Sequence, residues 1–169
     1  MSTFWLARGV RVYCAAAMKI AEFLREDLIL PDLQATDKAG VLRELCAPLA
    51  RANSLDAGRL TEVLLEREKL GSTGVGEGVA IPHGKLPGVP NLLAAFGRSK
   101  RGVNFAAIDG KPTYLFFVLF APENSAGIHL KALARISRLF KSPPFRQSIA
   151  SAQSGSEIAA LITGEDSKY

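Results

Sequence analysis

The segment Tyr114–Ala121, with the sequence YLFFVLFA, decides the fold of this chain. Apolar residues follow one another along it without the alternation of a half-exposed strand, and a strand of this composition is covered on both faces. Turn residues precede the segment at Asp109–Pro112, and Pro122 ends it. We therefore predict a central strand that is buried between two layers of structure.

Shorter strand patterns and helical patterns surround this central strand. Strands are predicted at Leu28–Leu30, Val79–Ile81 and Leu92–Gly97, where short apolar runs are bounded by turn residues. The spacing of apolar residues predicts helices that begin near Ile20, Asp37, Asp56, Ser125, Phe145 and Ser154. Strands interspersed with helices predict an α/β fold, a single-domain sandwich with a mixed, mostly buried β-sheet flanked by helices on both faces.

The sequence makes specific predictions for two of these helices. Pro48 lies within the apolar pattern of the helix after Asp37, so a kink or an irregular late turn is predicted there. The spacing of the next helix predicts four inward-facing residues, Leu60, Val63, Leu64 and Leu70. Gly71 is predicted to end that helix, because glycine readily adopts the left-handed conformation of a helix end.

Length and composition are those of an ordinary globular domain. The chain has 169 residues, of which 48% are hydrophobic and 22% charged, and its formal net charge is +5. No long Lys/Arg run and no apolar run of membrane-span length is present, so neither nucleic-acid binding nor membrane insertion is expected. The two cysteines, Cys14 and Cys46, share no metal-ligand spacing and fit a reducing compartment, which predicts a cytoplasmic protein.

The sequence predicts three parts along the chain. Residues 1–17 are interrupted by Arg8 and Arg11, so an export signal is not predicted, and they form either a loose N-terminal extension or a segment ahead of a natural start at Met18. Residues 18–163 are predicted to form the domain. Residues 164–169 are predicted to be a tail.

The glycine-rich segment Gly71–Lys85, GSTGVGEGVAIPHGK, raises the question of a phosphate loop. The interval from Gly78 to Gly84 is one residue too long for the G-x-x-x-x-G-K-[ST] motif, and Leu86 stands where a metal-binding hydroxyl should be. The dinucleotide fingerprint fails as well, because these glycines have the wrong spacing and follow a predicted helix rather than a strand. Nucleotide binding is therefore not predicted, and histidine chemistry remains.

Both histidines of the chain lie where a predicted element begins or ends. His83 follows Pro82, which stiffens the chain, and precedes Gly84, whose lack of a side chain leaves the imidazole open to a large partner. His129 lies in the first turn of the helix after Ser125, where backbone N–H groups favour an anion. Neutral imidazole is a competent nucleophile near physiological pH, so phosphoryl transfer to a histidine is a candidate activity.

Arg67, within the run Glu66–Glu68, has the guanidinium fork that phosphate binding requires. The residues alone leave bland alternatives open. A histidine after proline is commonly a loop residue, and an arginine in an acidic run is typical of a solvated helix face. Two histidines without a neighbouring cysteine fall short of a zinc site, and no serine-nucleophile motif is present, so no metal or cofactor is predicted.

Five stretches in order match a known family. Leu64–Glu68, Gly71–Gly76, Ala80–Lys85, Ala107–Pro112 and His129–Leu130 resemble the enzyme IIA domain of the fructose/mannitol class of the bacterial phosphoenolpyruvate-dependent phosphotransferase system. The combination E-R-E-x-x-G-S-T-G followed by I-P-H-G-K is far more specific than any single glycine pattern. Within the family, the chain is most similar to the standalone nitrogen-regulatory IIA branch.

The resemblance, which covers residues 20–162, implies roles for the site residues. It implies that His83 accepts a phosphoryl group, as a tele-phosphohistidine, from an HPr-like histidine phosphocarrier. It further implies that His129 is the second active-site histidine and that Arg67 stabilises the phosphate. The residues expected to support the phosphate loop are Ser72, Thr73 and Gly84. The family requires no metal and no cofactor, and its fold is a sheet between helices.

The function implied is that of a phosphohistidine carrier that regulates partner proteins by its phosphorylation state. One alternative is the IIA component of a fructose/mannitol-type sugar uptake system, which passes the phosphoryl group to a IIB cysteine. The absence of a IIB domain and of a membrane segment from this sequence favours the regulatory role. A non-phosphorylated interaction module is a further alternative. Nucleotide binding that depends on Lys85 would favour a nucleotide-dependent enzyme instead.

Overall fold

The computed structural model describes residues 18–169, so the expectations for residues 1–17 lie outside the described part. Its six strands are β1 (Leu24–Leu30), β2 (Gly74–Gly76), β3 (Val79–Ala80), β4 (His83–Leu86), β5 (Leu93–Val103) and β6 (Thr113–Pro122). Its five α-helices are α1 (Lys38–Asn53), α2 (Ala57–Glu68), α3 (Ala126–Phe140), α4 (Pro143–Ser151) and α5 (Gly155–Asp166). A short 3₁₀ helix, Ile20–Glu22, precedes β1.

The strands form one mixed sheet in the order β1-β5-β6-β3-β2, and β4 also pairs with β6. β1 is parallel to β5, and β3 and β4 are parallel to β6, whereas the β5–β6 and β2–β3 pairs are antiparallel. β3 and β4 follow one another along the same edge of β6, where Val79 pairs with Leu115 and His83 pairs with Leu119. Ile81 and Pro82 separate the two short strands, so β6 has neighbours on both edges.

β6 divides the hydrophobic core into two halves. The residues that pack towards α3, α4 and α5 are Leu115, Phe117, Leu119 and Ala121. The residues that pack towards α1 and α2 are Phe116, Val118 and Phe120. Each of these side chains is buried, as the continuous apolar sequence of the strand requires. The predicted central strand and the predicted α/β sandwich are confirmed.

α1 and α2 begin at the two aspartates that the sequence analysis singled out. A side-chain oxygen of Asp37 accepts a hydrogen bond from the Gly40 N–H at 2.7 Å, and one of Asp56 accepts from the Gly58 N–H at 2.9 Å. Each carboxylate satisfies an N–H group that has no partner within the helix, which fixes where the helix starts.

α1 continues through Pro48 without an irregular turn and ends only at Asn53. Proline removes one helical hydrogen bond, at a cost of roughly 3 kcal/mol in a helix interior. Leu45 and Leu49 lie on either side of Pro48 and are fully buried. Burial of each leucine contributes about 1.5–3 kcal/mol, so packing outweighs the loss.

The prediction that Leu70 faces the core is wrong. α2 ends at Glu68, and the Leu70 side chain is 84% exposed. The apolar spacing misleads here because helical periodicity no longer applies once the helix has ended. Leu60 and Leu64 are buried as predicted, and Gly71 follows the helix with a φ of +135° that favours glycine.

The two ends of the described part lie side by side. α5 continues to Asp166, beyond the boundary predicted at residue 163. The buried Asp166 carboxylate accepts hydrogen bonds from the Ile20 N–H at 2.7 Å and from Arg135 Nε at 2.5 Å. Lys19 Nζ donates to the backbone oxygen of Tyr169 at 2.8 Å. These contacts join the start of the domain to its last helix.

Candidate functional site

His83 is the first residue of β4 and lies beside the carboxyl-terminal half of β6. Its backbone position is fixed by pairing with Leu119, whose N–H donates to the Pro82 carbonyl oxygen at 2.9 Å. Proline at position 82 has no N–H of its own and a restricted φ, which favours the break between β3 and β4. The break places the imidazole at the end of the sheet, where β6 leads into α3.

The His83 ring has one nitrogen fixed and one nitrogen available. Nδ1 lies 2.7 Å from the Ile81 carbonyl oxygen, which can only accept, so Nδ1 carries the proton and donates it. In the neutral ring Nε2 therefore keeps its lone pair. Burial lowers the pKa of His83 below its ordinary value, the hydrogen bond to the Ile81 carbonyl partly offsets this, and the smaller effects of Arg67 and Glu68 lower and raise the pKa respectively. The ring is therefore neutral at pH 7.

His129 lies in the first turn of α3 and meets His83 edge to face. The centroids of the two rings are 5.4 Å apart and their planes are inclined at 74°. The His129 N–H donates to the Ser125 carbonyl at 2.9 Å, and the Ser125 hydroxyl donates to the Pro122 carbonyl at 2.6 Å, which fixes the start of the helix. The structure thus brings together the two histidines that the sequence analysis selected.

The Nε2 atom of His129 is buried and has no hydrogen-bond partner among residues 18–169. Burial, with the nearby His83 ring and the Lys85 charge, lowers the pKa of His129 to about 4. The ring is therefore neutral at physiological pH and can donate one hydrogen bond from either nitrogen. A buried polar atom without a partner is rare in proteins, and function is one of the causes that leave an atom in this state.

Arg67 occupies the last turn of α2, at the start of the glycine-rich segment. Its Nη1 donates to the Gly71 carbonyl oxygen at 2.9 Å, which is its one hydrogen bond to residues 18–169. The side chain is half-buried, and its positive charge acts on His83, where it lowers the pKa. Together with Lys85, which acts on His129, it gives the site a positive potential suited to an anion.

Glu68 is a site-building residue that the sequence analysis missed. Its side chain is only 4% exposed and forms an ion pair with Lys38 Nζ at 2.8 Å. It also accepts hydrogen bonds from the Thr73 N–H at 3.2 Å and from the Thr73 hydroxyl. The carboxylate therefore ties the glycine-rich segment to both α1 and α2. The available signal was an acidic residue at a helix end, five residues before a threonine.

Ser72 and Thr73 lie in the glycine-rich segment, and their hydroxyl groups are engaged within the protein. Ser72 Oγ donates to the Phe105 carbonyl at 2.7 Å and accepts from the Gly74 N–H at 3.0 Å. The Thr73 hydroxyl donates to Glu68. In this geometry both residues hold the shape of the segment, and their hydroxyl hydrogens are not directed at a bound anion.

Gly84 lies next to His83 in β4, and its missing side chain faces the protein interior. A Cβ atom at this position would lie 2.5 Å from Val63 Cγ1 of α2, which is closer than such atoms approach. The sequence analysis explained this glycine by access for a partner. The structure gives a different reason, namely that β4 packs directly against α2.

Two further findings concern metal binding and membrane-spanning helices. Within residues 18–169, no three His, Cys, Asp or Glu side chains are placed so that they could hold a metal ion. In the same part of the chain, no helix combines the length and apolar character needed to cross a membrane.

Comparisons with known proteins identify the family of this chain. The family model of the phosphoenolpyruvate-dependent sugar phosphotransferase system, EIIA 2, matches residues 22–164. The nitrogen regulatory protein of Bradyrhizobium diazoefficiens is 40% identical over 145 residues, which cover 86% of this chain and 95% of that protein. The fructose-specific EIIABC component of Bacillus subtilis is 39% identical over 150 residues, which cover 88% of this chain and 24% of that protein.

A solved structure shows the same arrangement of elements. The crystal structure of the nitrogen regulatory protein IIA-Ntr from Neisseria meningitidis superimposes with a TM-score of 0.81 at 40% identity, and covers 85% of this chain and 99% of that one. Both the family model and the relatives above 30% identity span most of the domain. The chain therefore belongs to the EIIA type 2 family of the phosphoenolpyruvate-dependent sugar phosphotransferase system.

Proposed function

We propose that this protein is a phosphohistidine carrier of the nitrogen-regulatory IIA type, a transferase-type component that accepts a phosphoryl group on His83. The donor is an HPr-like histidine phosphocarrier. The observation that carries the proposal is the orientation of the His83 ring. Nδ1 is held at 2.7 Å from the Ile81 carbonyl, which leaves Nε2 as the nucleophile, and the centroid of the His129 ring lies 5.4 Å from that of His83.

The transfer uses the lone pair of His83 Nε2. A bond forms between this nitrogen and phosphorus while the bond between phosphorus and the donor's histidine nitrogen breaks, and the donor ring keeps that electron pair. The product is a tele-phosphohistidine. The ring of His83 gains positive charge during the attack, and the Ile81 carbonyl stabilises this charge through the Nδ1–H, which stays in place throughout.

His129 and Arg67 bind the phosphoryl oxygens in this mechanism. As the Nε2–H tautomer, His129 donates to one oxygen and satisfies its own buried atom. Arg67 uses one nitrogen to hold the Gly71 carbonyl, and its remaining N–H groups are available for charge-assisted hydrogen bonds. Neither residue changes its protonation state, so the chemistry needs only positioning and electrostatic stabilisation.

Phosphorylation changes the surface of the protein without refolding it. A phosphoryl group adds roughly −1.5 to −2 charges next to Arg67 and Lys85, which cancels most of the positive charge of these two side chains. Partner proteins in the cytoplasm that bind one charge state are released by the other. The names of two relatives, the nitrogen regulatory proteins of Bradyrhizobium diazoefficiens and Neisseria meningitidis, support the regulatory role over other uses of the same chemistry.

Sugar uptake is the second candidate function, and one observation favours it. The chain matches 24% of the fructose-specific EIIABC component of Bacillus subtilis at nearly the same identity as the nitrogen regulatory relative. In that role His83 passes its phosphoryl group to the cysteine of a IIB partner. Loss of the phosphoryl group on addition of a cognate IIB protein separates uptake from regulation.

The direct test is intact-protein mass spectrometry after incubation with phosphoenolpyruvate, enzyme I and a histidine phosphocarrier. The wild-type protein is expected to gain one acid-labile phosphoryl group, and His83→Ala none. His129→Ala is the matched variant at the other histidine. It is expected to reach the same stoichiometry at a rate lower by roughly 100-fold, as for the loss of one transition-state donor.

The outcomes separate the alternatives. No gain in the wild-type protein with any cognate donor leaves a non-phosphorylated interaction module. A full gain in His83→Ala makes His129 the acceptor and overturns the proposal. Nitrogen-15 spectra of the phosphorylated protein identify which ring nitrogen carries phosphorus, and a signal for phosphorus on Nδ1 contradicts the assigned orientation.

A further inference from the structure

A cavity lies between α4 and the β5–β6 part of the sheet, apart from the histidine site described above. Its volume is about 410 Å³, and its lining includes Arg98, Lys100, Tyr114, Pro143 and Arg146. Neither histidine and no residue of the glycine-rich segment before Glu77 contributes to it. The volume falls within the range of small-molecule sites, which is roughly 300–1,000 Å³.

Arg98 places a buried positive charge in the lining of this cavity. The residue is only 3% exposed, and no carboxylate among residues 18–169 lies within ion-pair distance of it. Its Nε donates to the Pro31 carbonyl at 3.0 Å, and its Nη1 donates to the carbonyls of Ile149 at 2.8 Å and Ala152 at 2.6 Å. Backbone carbonyls of Pro31 and of the end of α4 are its partners in the described part, and none of them carries a full negative charge.

The Nη2 atom of Arg98 has no hydrogen-bond partner among residues 18–169. Its two N–H groups are strong donors that cannot lose their protons, because an arginine stays charged at any physiological pH. A buried guanidinium that lines a cavity and has one nitrogen without a partner can donate hydrogen bonds to an anion there.

Arg146 supplies a second positive charge at the rim of the cavity. Its Nη1 is held by the Phe140 carbonyl at 2.8 Å, so the guanidinium is fixed in place. Its Nη2 contacts Glu77 at 3.4 Å, and the Glu77 side chain is 77% exposed. An ion pair with so exposed a partner contributes little, so a ligand anion can replace Glu77 at low cost.

The rest of the lining suits the body of an organic molecule. Tyr114 is 41% exposed, and Pro143 and Leu115 add apolar surface beside it. Lys100 adds a third cation, whose partner Asp32 lies at 2.9 Å with both side chains exposed. A flat apolar surface next to fixed cations favours a ligand with a ring and an anionic group.

We propose that this cavity binds a small organic anion, whose carboxylate or phosphate group contacts Arg98 and Arg146 and whose flat apolar part lies against Tyr114. The site does not depend on phosphoryl transfer at His83. Binding displaces Glu77 from Arg146. Because Glu77 lies in the turn between β2 and β3, the amides of this turn report the displacement.

The test is a titration of ¹⁵N-labelled protein followed by amide chemical shifts. The probes are phenyl phosphate, benzoate and benzylamine, which share a ring and differ in the charge and chemistry of the attached group. Both anions are expected to shift amides of residues 77–78, 98–100 and 145–150, with dissociation constants on the order of 1 mM. Benzylamine is expected to shift none of them. The phenyl phosphate titration is repeated in His83→Ala, which separates binding at the phosphoryl-transfer site from binding in the cavity.

The critical variant is Arg146→Gln, which removes a charge at the rim and leaves the buried Arg98 in place. It is expected to weaken both anions by roughly tenfold or more, as for loss of a charge-assisted hydrogen bond. Arg59→Gln is the matched control, since Arg59 is an exposed residue of α2 whose partner there is Glu62. For Arg98→Met, the melting temperature is measured beside the affinity, because Arg98 also holds the end of α4.

Three results overturn the proposal. The first is the lack of saturable anion-dependent shifts around the cavity. The second is equal binding of benzylamine. The third is an affinity of Arg146→Gln equal to that of Arg59→Gln. Shifts that are confined to residues near His83 and His129 also overturn the proposed anion site. They do not contradict the proposed phosphoryl transfer.

Discussion

The two sides of the histidine site differ in how completely their polar groups are paired. On the loop side, Glu68 to Gly74, the Glu68 carboxylate and the hydroxyls of Ser72 and Thr73 all have partners within the protein. On the helix side, Ser125 to His129, the buried Nε2 of His129 has none among the described residues. The described part of the protein therefore satisfies the polar groups of the loop side and leaves one buried atom of the helix side without a partner.

This difference in the pairing of polar groups indicates that the two sides have different roles. An unpaired buried polar atom destabilises a protein, and it persists where function uses it. A fully paired loop holds the surroundings of His83 in place. Substitutions on the loop side are therefore expected to reduce stability, whereas substitution of His129 changes how stability depends on pH.

The largest effect is expected from Glu68→Ala. This substitution removes the partner of Lys38 and of two Thr73 donors, and loss of one member of a buried charge network costs about 3 kcal/mol of unfolding free energy. Urea denaturation measures the change. Glu66→Ala is the matched control, since Glu66 is exposed and its ion-pair partner among residues 18–169 is the exposed Lys69, so no measurable change is expected. Equal stabilities of the two variants would falsify the structural role given to Glu68.

A smaller effect is expected from Gly84→Ala. The new methyl group meets Val63 Cγ1 at 2.5 Å, and overpacking of this kind costs about 2 kcal/mol. Val63→Ala removes the obstructing atom, so the double variant should be more stable than the sum of the single effects predicts, by about 1 kcal/mol. Gly127→Ala serves as control, because no atom lies within 4 Å of a Cβ atom there. Strict additivity of the two substitutions would contradict the proposed contact.

The most gradual effect concerns pH and His129. Its pKa falls from 6.5 in the unfolded chain to about 4 in the folded protein, so between these values the unfolded chain binds the extra proton. Stability therefore decreases as the pH falls through this window, by at most about 1.4 kcal/mol per pH unit, and is unaffected above it. Unfolding free energies of the wild type and His129→Ala at pH 7.5, 6 and 5 give the measurement. The variant should show a shallower decrease, and parallel curves would mean that His129 is not buried as described.

The sequence predicted those features that depend on local pattern. The unbroken apolar run of β6 indicates burial on both faces wherever the strand lies, and Asp37 and Asp56 act on N–H groups only a few residues away. The two histidines were selected because they lie at the ends of elements, and β6 and the start of α3 bring those ends together.

Features that depend on distant contacts were not predicted. The reason for Gly84 is Val63 of another element, and the role of Glu68 requires Lys38, thirty positions away in sequence. Neither partner can be recognised from spacing, because the approach of β4 to α2 and of α1 to α2 is set by packing of the core. The prediction for Leu70 was wrong for the opposite reason, because a local pattern was extended past the residue at which the helix ends.

The contact between Lys19 and Tyr169 has a consequence for how such a domain is built into larger proteins. A polypeptide that enters at Lys19 and leaves at Tyr169 does so at one place on the surface, beside Arg135 of α3. The domain can therefore be carried as a cassette, with both junctions on the same patch and its sheet undisturbed. The match to a quarter of the Bacillus subtilis EIIABC component fits this modular use of one fold, alone or joined to other units.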